Sequence, residues 1–224
     1  TTYWKAPGED GSMGVADFNL DGKPEVIIYP NTGSPSILNG QTGAVLSQLP
    51  KSSTITAIMP PTIADIDGDG VPEIGVIGTC SEAGSQQSQE CFWGIAVDRS
   101  TLAMTELWRE VIYDGTLGGG ATAFDFEGDG PFEMLQNDEH WVNVYSGRAH
   151  TQIYHAPRRS VTGWELPIVV DVDNDSHAEI VLKQDGADKG ILVYGNVDND
   201  WVATRRIWNK FFYTITNINE NGTV

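Results

Sequence analysis

ADIDGDGVPEIGV, residues 64–76, sets Asp65, Asp67, Asp69 and Glu73 between two short apolar runs. Carboxylates at positions 1, 3 and 5 of a tight turn can curl around one centre, and the glutamate at position 9 opens the next run and reaches back. Gly70, at position 6, lets the backbone take a positive φ at little cost. The flanking runs, residues 61–66 and 73–77, are short and rich in β-branched residues, which argues strand over helix. The stretch therefore predicts strand, acidic turn, strand. An EF-hand loop places its last ligand at position 12 and enters a helix; here the ninth residue enters a strand.

Three further segments share the pattern: ADFNLDGKPEVII (16–28), FDFEGDGPFEMLQ (124–136) and VDVDNDSHAEIVL (170–182). Their leading aspartates, with Asp65, are spaced by 48, 60 and 46 residues. Such spacing suits one four-stranded propeller blade per repeat. More strands fit between the turns: residues 36–38 and 44–49 around NGQTG, 92–97 and 106–112, 141–145 and 151–155 around SGR, and 190–194. The expected fold is all-β, a β-propeller or partial propeller of about four four-stranded blades. The chain reads as a single propeller-type domain over 1–224, with repeat units of about 11–58, 59–118, 119–164 and 165–224. Residues 201–212, WVATRRIWNKFF, fit helical and extended readings equally. Trp4, Trp201 and Trp208 lie toward the chain ends, where packing of the termini is the expected role.

The candidate ligands of the first turn are Asp17, Asn19, Asp21 and Glu25. In the second they are Asp65, Asp67, Asp69 and Glu73; in the third, Asp125, Glu127, Asp129 and Glu133; in the fourth, Asp171, Asp173, Asp175 and Glu179. A position-7 backbone carbonyl, from Lys23, Val71, Pro131 or His177, is the expected fifth ligand. Calcium fits such a set, because it takes six to eight hard oxygens in flexible geometry and tolerates a bidentate glutamate. Magnesium demands stricter octahedral geometry, and softer metals want nitrogen or sulfur. The competing reading is four metal-free acidic turns, since Asp, Asn and Gly are common turn formers. Four turns in register, each with a carboxylate at position 9, favour the ion: carboxylates held this close disfavour joint ionisation unless a cation intervenes. The expected complement is up to four calcium ions. The second turn looks best. The fourth, with Ser176 in place of glycine, or the first, with Asn19, looks weakest.

The charge agrees. The chain carries 31 acidic and 13 basic residues, for a formal net charge of −18. The turns hold fifteen carboxylates, and four calcium ions would bring the charge to −10. So acidic a chain is a poor partner for nucleic acid, which wants a basic face. No run of 18 apolar residues offers a membrane span. Cys80 and Cys91 flank a polar segment read as a loop between strands. A disulfide there would close a ring worth roughly 2–3 kcal/mol and imply an oxidising compartment; two buried thiols are the alternative. Asn221 begins a sequon, NGT.

On the four Asp-to-Glu turns, and on the Gly119-Gly120-Ala121 element before the third, the chain resembles the FG-GAP or VCBS-type repeat proteins, which include the integrin α-subunit propeller. The resemblance runs from about residue 14 to the end. It implies a propeller of commonly six to eight blades whose turns bind calcium for structural reasons. Only four repeats are present, so the resemblance implies a partner chain, a second copy or a further segment that completes the ring. A self-sufficient four-bladed domain is the alternative.

Three functions fit. The first is an extracellular or cell-surface calcium-stabilised scaffold for adhesion, surface structure or protein assembly, since the turns recur in every repeat and serve the fold. The second is a carbohydrate-binding lectin or polysaccharide lyase-type module, with Trp93, Trp141, Trp164 and Tyr194 as stacking faces and His140, His155, Arg158 and Arg159 as the only cluster suited to a lyase base. The third is a subunit of a fibre or surface layer. No nucleophile elbow, phosphate-binding loop or dinucleotide fingerprint is present, so no catalytic residue is assigned and an enzyme is the less favoured reading.

Overall fold

The computed structural model describes residues 2–5, 11–30, 34–50, 59–80, 89–115, 119–161 and 163–208, together with 219 and 223. Among these residues fifteen strands form four antiparallel meanders, each following chain order. Sheet 1 holds β1 (Gly11–Ala16), β2 (Glu25–Pro30), β3 (Ser36–Asn39) and β4 (Val45–Gln48). Sheet 2 holds β5 (Thr62–Ala64), β6 (Glu73–Cys80), β7 (Gln89–Val97) and β8 (Met104–Ile112). Sheet 3 holds β9 (Ala121–Phe124), β10 (Glu133–Asn137), β11 (Trp141–Tyr145) and β12 (Gln152–Pro157). Sheet 4 has three strands among the described residues: β13 (Ile168–Val170), β14 (Glu179–Gln184) and β15 (Gly190–Tyr194).

The first strands lie side by side, β1 against β5 and β5 against β9. Threonine hydroxyls fasten them. Thr62 donates to the Ala121 carbonyl at 2.8 Å, and Thr122 donates to the Pro167 carbonyl at 3.0 Å. Both threonines stand three residues before a leading aspartate; the first and fourth units carry Gly14 and Ile168 at that position, so the link belongs to the second and third. A parallel bridge between Gly119 and Glu165 adds to the junction of sheets 3 and 4. The result is a partial four-bladed β-propeller whose ring does not close among the described residues.

Three apolar cores fill the gaps between successive sheets. Phe18, Ile27, Tyr29 and Ile37 meet Ile74, Val76, Trp93 and Ile95 between sheets 1 and 2. Ile66, Ile77 and Phe92 meet Met134 and Tyr145 between sheets 2 and 3. Phe126, Leu135, Val142 and Val144 meet Val169, Ile180 and Leu182 between sheets 3 and 4. Each such side chain contributes about 1.5–3 kcal/mol on burial. Position in the stack explains the sequence pattern. β6 and β10 have neighbours on both faces and are buried nearly throughout; β6 reads as a mainly apolar run after Glu73, whereas β10 buries the polar Gln136 and Asn137 beside Met134 and Leu135. β2 belongs to an end sheet and alternates buried with half-buried. Gly75 makes room for a side chain of sheet 3: a Cβ there would stand 2.2 Å from Cε of Met134.

The two end faces stay apolar and uncovered by any described sheet. On sheet 1, exposed Met13 and Val15 pair with half-buried Ile28 and Val26. On sheet 4, Ile191 and Val193 are exposed, with Val193 paired to Val181. Cys80 and Cys91 form a disulfide joining the end of β6 to β7, which settles the alternative left by the sequence. Residues 81–88 between them lie outside the described set. Reduction is expected to cost about 2–3 kcal/mol and to lower the melting temperature by roughly 5–10 °C, measured by calorimetry with and without reductant.

No helix occurs among the described residues; residues 201–208 are irregular, and 209–212 lie outside them, as does Asn221. Trp4 packs over the β3–β4 turn, where its Nε1 donates to the Gly40 carbonyl. Trp201 is buried against Phe126 and Tyr154. Trp93, considered above as a stacking face, is a core residue only 2% exposed, with Arg109 over its ring. It cannot meet a ligand.

Candidate metal centres

All four acidic turns join the first strand of a sheet to the second, so they share one end of the propeller. Their internal hydrogen bonds repeat. The position-1 carboxylate accepts the position-6 amide: Gly22 to Asp17, Gly70 to Asp65, Gly130 to Asp125 and Ser176 to Asp171, at 2.8, 3.0, 3.0 and 3.3 Å. It also takes the position-4 amide of Gly68, Gly128 and Asn174 at 2.6–2.7 Å. The position-9 glutamate accepts the position-2 amide in every turn: Phe18 to Glu25, Ile66 to Glu73, Phe126 to Glu133 and Val172 to Glu179, at 2.7–3.1 Å. Aspartates 21, 69 and 175 accept the position-7 amides of Lys23, Val71 and His177. Each turn is thus wound around its own carboxylates by backbone amides before any ion is considered.

Both positions 4 and 6 take positive φ. Position 6 was legible from glycine; position 4 was not, because it is Leu20, Gly68, Gly128 and Asn174 in the four turns. Ser176 keeps the same conformation as the glycines, at φ 72°, so the fourth turn tolerates strain rather than changing shape. Ser176→Gly is expected to stabilise the protein by about 1 kcal/mol, a rise of roughly 2–4 °C in thermal unfolding.

Three clusters bring ligand oxygens within 4.8 Å of one another: Asp65, Asp67 and Glu73; Glu127, Asp129 and Glu133; and Asp171, Asp173 and Glu179. Each holds three of the four carboxylates expected for its turn. Asp69, Asp125 and Asp175 stand in the same turns, engaged with backbone amides. In the first turn Asp17, Asn19 and Asp21 share the amides of residues 21–23. The His177 side chain is committed elsewhere, with Nδ1 donating to the Trp201 carbonyl at 2.8 Å.

All four glutamates are buried, and in the fourth turn Asp171 is buried with Glu179. Burial, partly offset by the donated amide and reinforced by the neighbouring aspartates, pushes Glu73 and Glu133 up to about 7. Glu25 and Glu179 are raised for the same reasons. The carboxylate form of these groups is costly without a counter-charge, which a divalent cation among the acidic oxygens would supply. The donor set, all hard oxygen with neither nitrogen nor sulfur, suits such an ion.

Sequence reading missed the contacts that tie one turn to the next. The Phe132 amide, at position 8 of the third turn, donates to the Asp65 carbonyl of the second at 3.0 Å. Arg99 donates to the Asn19 carbonyl and Arg148 to the Asp67 carbonyl, each at position 3 of the preceding turn. Arg206 donates to the side chain of Asn174 in the fourth turn. Gly68 is held close: a Cβ there would lie 2.8 Å from Pro131 and 3.0 Å from the Arg148 guanidinium. Arg99 and Arg148 both sit in turns between the third and fourth strands, and that shared placement was the available signal.

Antiparallel four-stranded meanders, stacked face to face and carrying an acidic turn after each first strand, define a β-propeller of repeats. Residues 17–76 match the model of an FG-GAP-like repeat. The V. cholerae biofilm matrix protein Bap1 is similar in structure, with a TM-score of 0.50 at 15% identity over 95% of this chain and 67% of that one. BamB from Moraxella catarrhalis aligns with a TM-score of 0.47 at 11% identity over 91% of this chain and 66% of that one. The chain spans about two thirds of the length of each. No curated protein sequence matches it.

Proposed function

We propose that the chain is an extracellular or cell-surface scaffold, a calcium-stabilised propeller segment of VCBS type serving adhesion, surface structure or protein assembly. The observation that carries this reading is the recurrence of one amide-wound carboxylate turn at all four first-to-second strand junctions, three of which gather their ligand oxygens within 4.8 Å. A catalytic centre needs its groups once; a structural ion is needed wherever the fold repeats. The proposed ligands are the sixteen side chains at positions 1, 3, 5 and 9, with the carbonyls of Lys23, Val71, Pro131 and His177. The Cys80–Cys91 disulfide supports an oxidising compartment. Extracellular calcium modules bind at roughly 10⁻⁴–10⁻³ M, so these turns would fill outside a cell. A biofilm matrix protein carries the same fold, in keeping with that setting. The apolar end faces fit a further chain, copy or segment that completes the ring.

Isothermal titration of chelator-stripped protein with calcium tests the reading. The expected result is up to four ions per chain, with magnesium binding far more weakly. A stripped protein that takes up no calcium at millimolar concentration overturns it.

A further inference from the structure

At the end of sheets 3 and 4 opposite the acidic turns lies a cleft of about 220 Å³. β10 and β14 each begin at a turn glutamate, Glu133 and Glu179, and run away from it. The cleft is lined by Asn137, the last residue of β10, and by Leu182 and Lys183 near the end of β14, with Trp164, Glu165 and Trp208 among the rest of its wall. It shares no residue with the metal turns.

Three independent features mark it. Asn137 is 1% exposed, yet neither its Oδ1 nor its Nδ2 has a hydrogen-bond partner among the described residues. A buried amide left this way has lost its hydration without replacement, so such groups call for an explanation. Trp164 presents an indole that is 61% exposed, on a backbone at φ 65°. Bulky residues seldom hold that conformation, and the strain gathers at binding sites. Glu165 is buried and held in place by Arg158, by the Ser160 hydroxyl and by Lys183 at 3.2 Å, while Lys183 also meets Asp185 at 2.9 Å. The charges on this side of the cleft are thus paired within the protein.

We infer that this cleft binds one neutral sugar ring, as a free saccharide or as an exposed unit of a glycan. A primary amide presents an acceptor and a donor side by side, which two adjacent hydroxyls match, since each can donate and accept. A purely apolar ligand would leave Asn137 unsatisfied. An anion would meet the Glu165 carboxylate, and a cation would meet Lys183. The volume equals that of about seven waters at roughly 30 Å³ each, room for one ring. The C–H face of a pyranose would lie on the Trp164 indole, as amphipathic rings commonly pack. This assignment goes beyond the scaffold reading and does not depend on the ions.

The test is titration of the full chain, in calcium, with the methyl glycosides of glucose, galactose, mannose and N-acetylglucosamine, followed by calorimetry and tryptophan fluorescence. At least one is expected to bind in the millimolar range, as a ligand of this size should. Trp164→Ala is expected to weaken binding at least about tenfold; its exposed side chain makes the change tolerable to the fold. Asn137→Leu is expected to abolish binding while leaving the melting temperature equal or higher, because the orphaned amide is gone. The inference is overturned if none of the four glycosides binds at tens of millimolar, or if both variants bind as the parent does. Neither result would touch the calcium reading, which is measured separately.

Discussion

Stripping the protein with a chelator is expected to lower its melting temperature by more than about 15 °C. At 10 mM calcium, sites with dissociation constants near 10⁻⁴–10⁻³ M each add about 1.5–3 kcal/mol through mass action. Four such sites approach the whole stability of a typical domain, about 5–15 kcal/mol. The buried glutamates sharpen the effect, because without a counter-charge their ionised forms sit against the aspartates of their own turns. Readdition of calcium should restore the transition, and the midpoint should rise with the logarithm of calcium concentration. Identical melting curves in calcium and in chelator would remove the ions from the account.

Glu73→Ala is expected to cost about 3–5 kcal/mol in calcium. Glu73 is 2% exposed, and its carboxylate accepts the amide of Ile66, which is itself fully buried. Truncation leaves that amide unpaired, opens a small cavity and removes one proposed ligand of the second turn. Glu73→Gln separates these contributions. It keeps an oxygen for Ile66 but loses the charge, so in calcium it should lie between the parent and Glu73→Ala. In chelator at neutral pH the order should change, with Glu73→Gln at least as stable as the parent, because the buried charge facing Asp67 and Asp69 has gone. Denaturant unfolding of the three proteins in both buffers measures this. A Gln variant that weakens the protein equally in both buffers would make Glu73 a purely structural hydrogen-bond acceptor.

Much of the architecture could be read from the chain because the repeat imposes a local pattern. Carboxylates at alternate positions followed by a glutamate occur where a strand turns, so the turns and the strands that flank them were placed together. β11 and β15 have the expected limits, and β6, buried on both faces, extends three residues past the expected run to Cys80. Less could be read where meaning depends on a neighbouring blade. The positive φ at position 4 is hidden behind Leu20 and Asn174, which occupy it at some cost. Arg99 and Arg148 look like ordinary turn residues until the preceding turn is set beside them. Trp93 and Trp164 are equivalent in composition, yet one fills a core and the other borders a cleft. Asn137 gave no signal, since it stands out only by having no side-chain hydrogen bond among the described residues.

The links between turns give the molecule a direction of failure. Each inter-sheet fastening joins a unit to its immediate neighbour: Thr62 to Ala121, Thr122 to Pro167, Phe132 to Asp65, Arg148 to Asp67. Damage at one turn therefore weakens the adjoining pair first, as in linear repeat arrays. Pulled from its ends, such a stack would peel one unit at a time, because each fastening reaches only to the next unit.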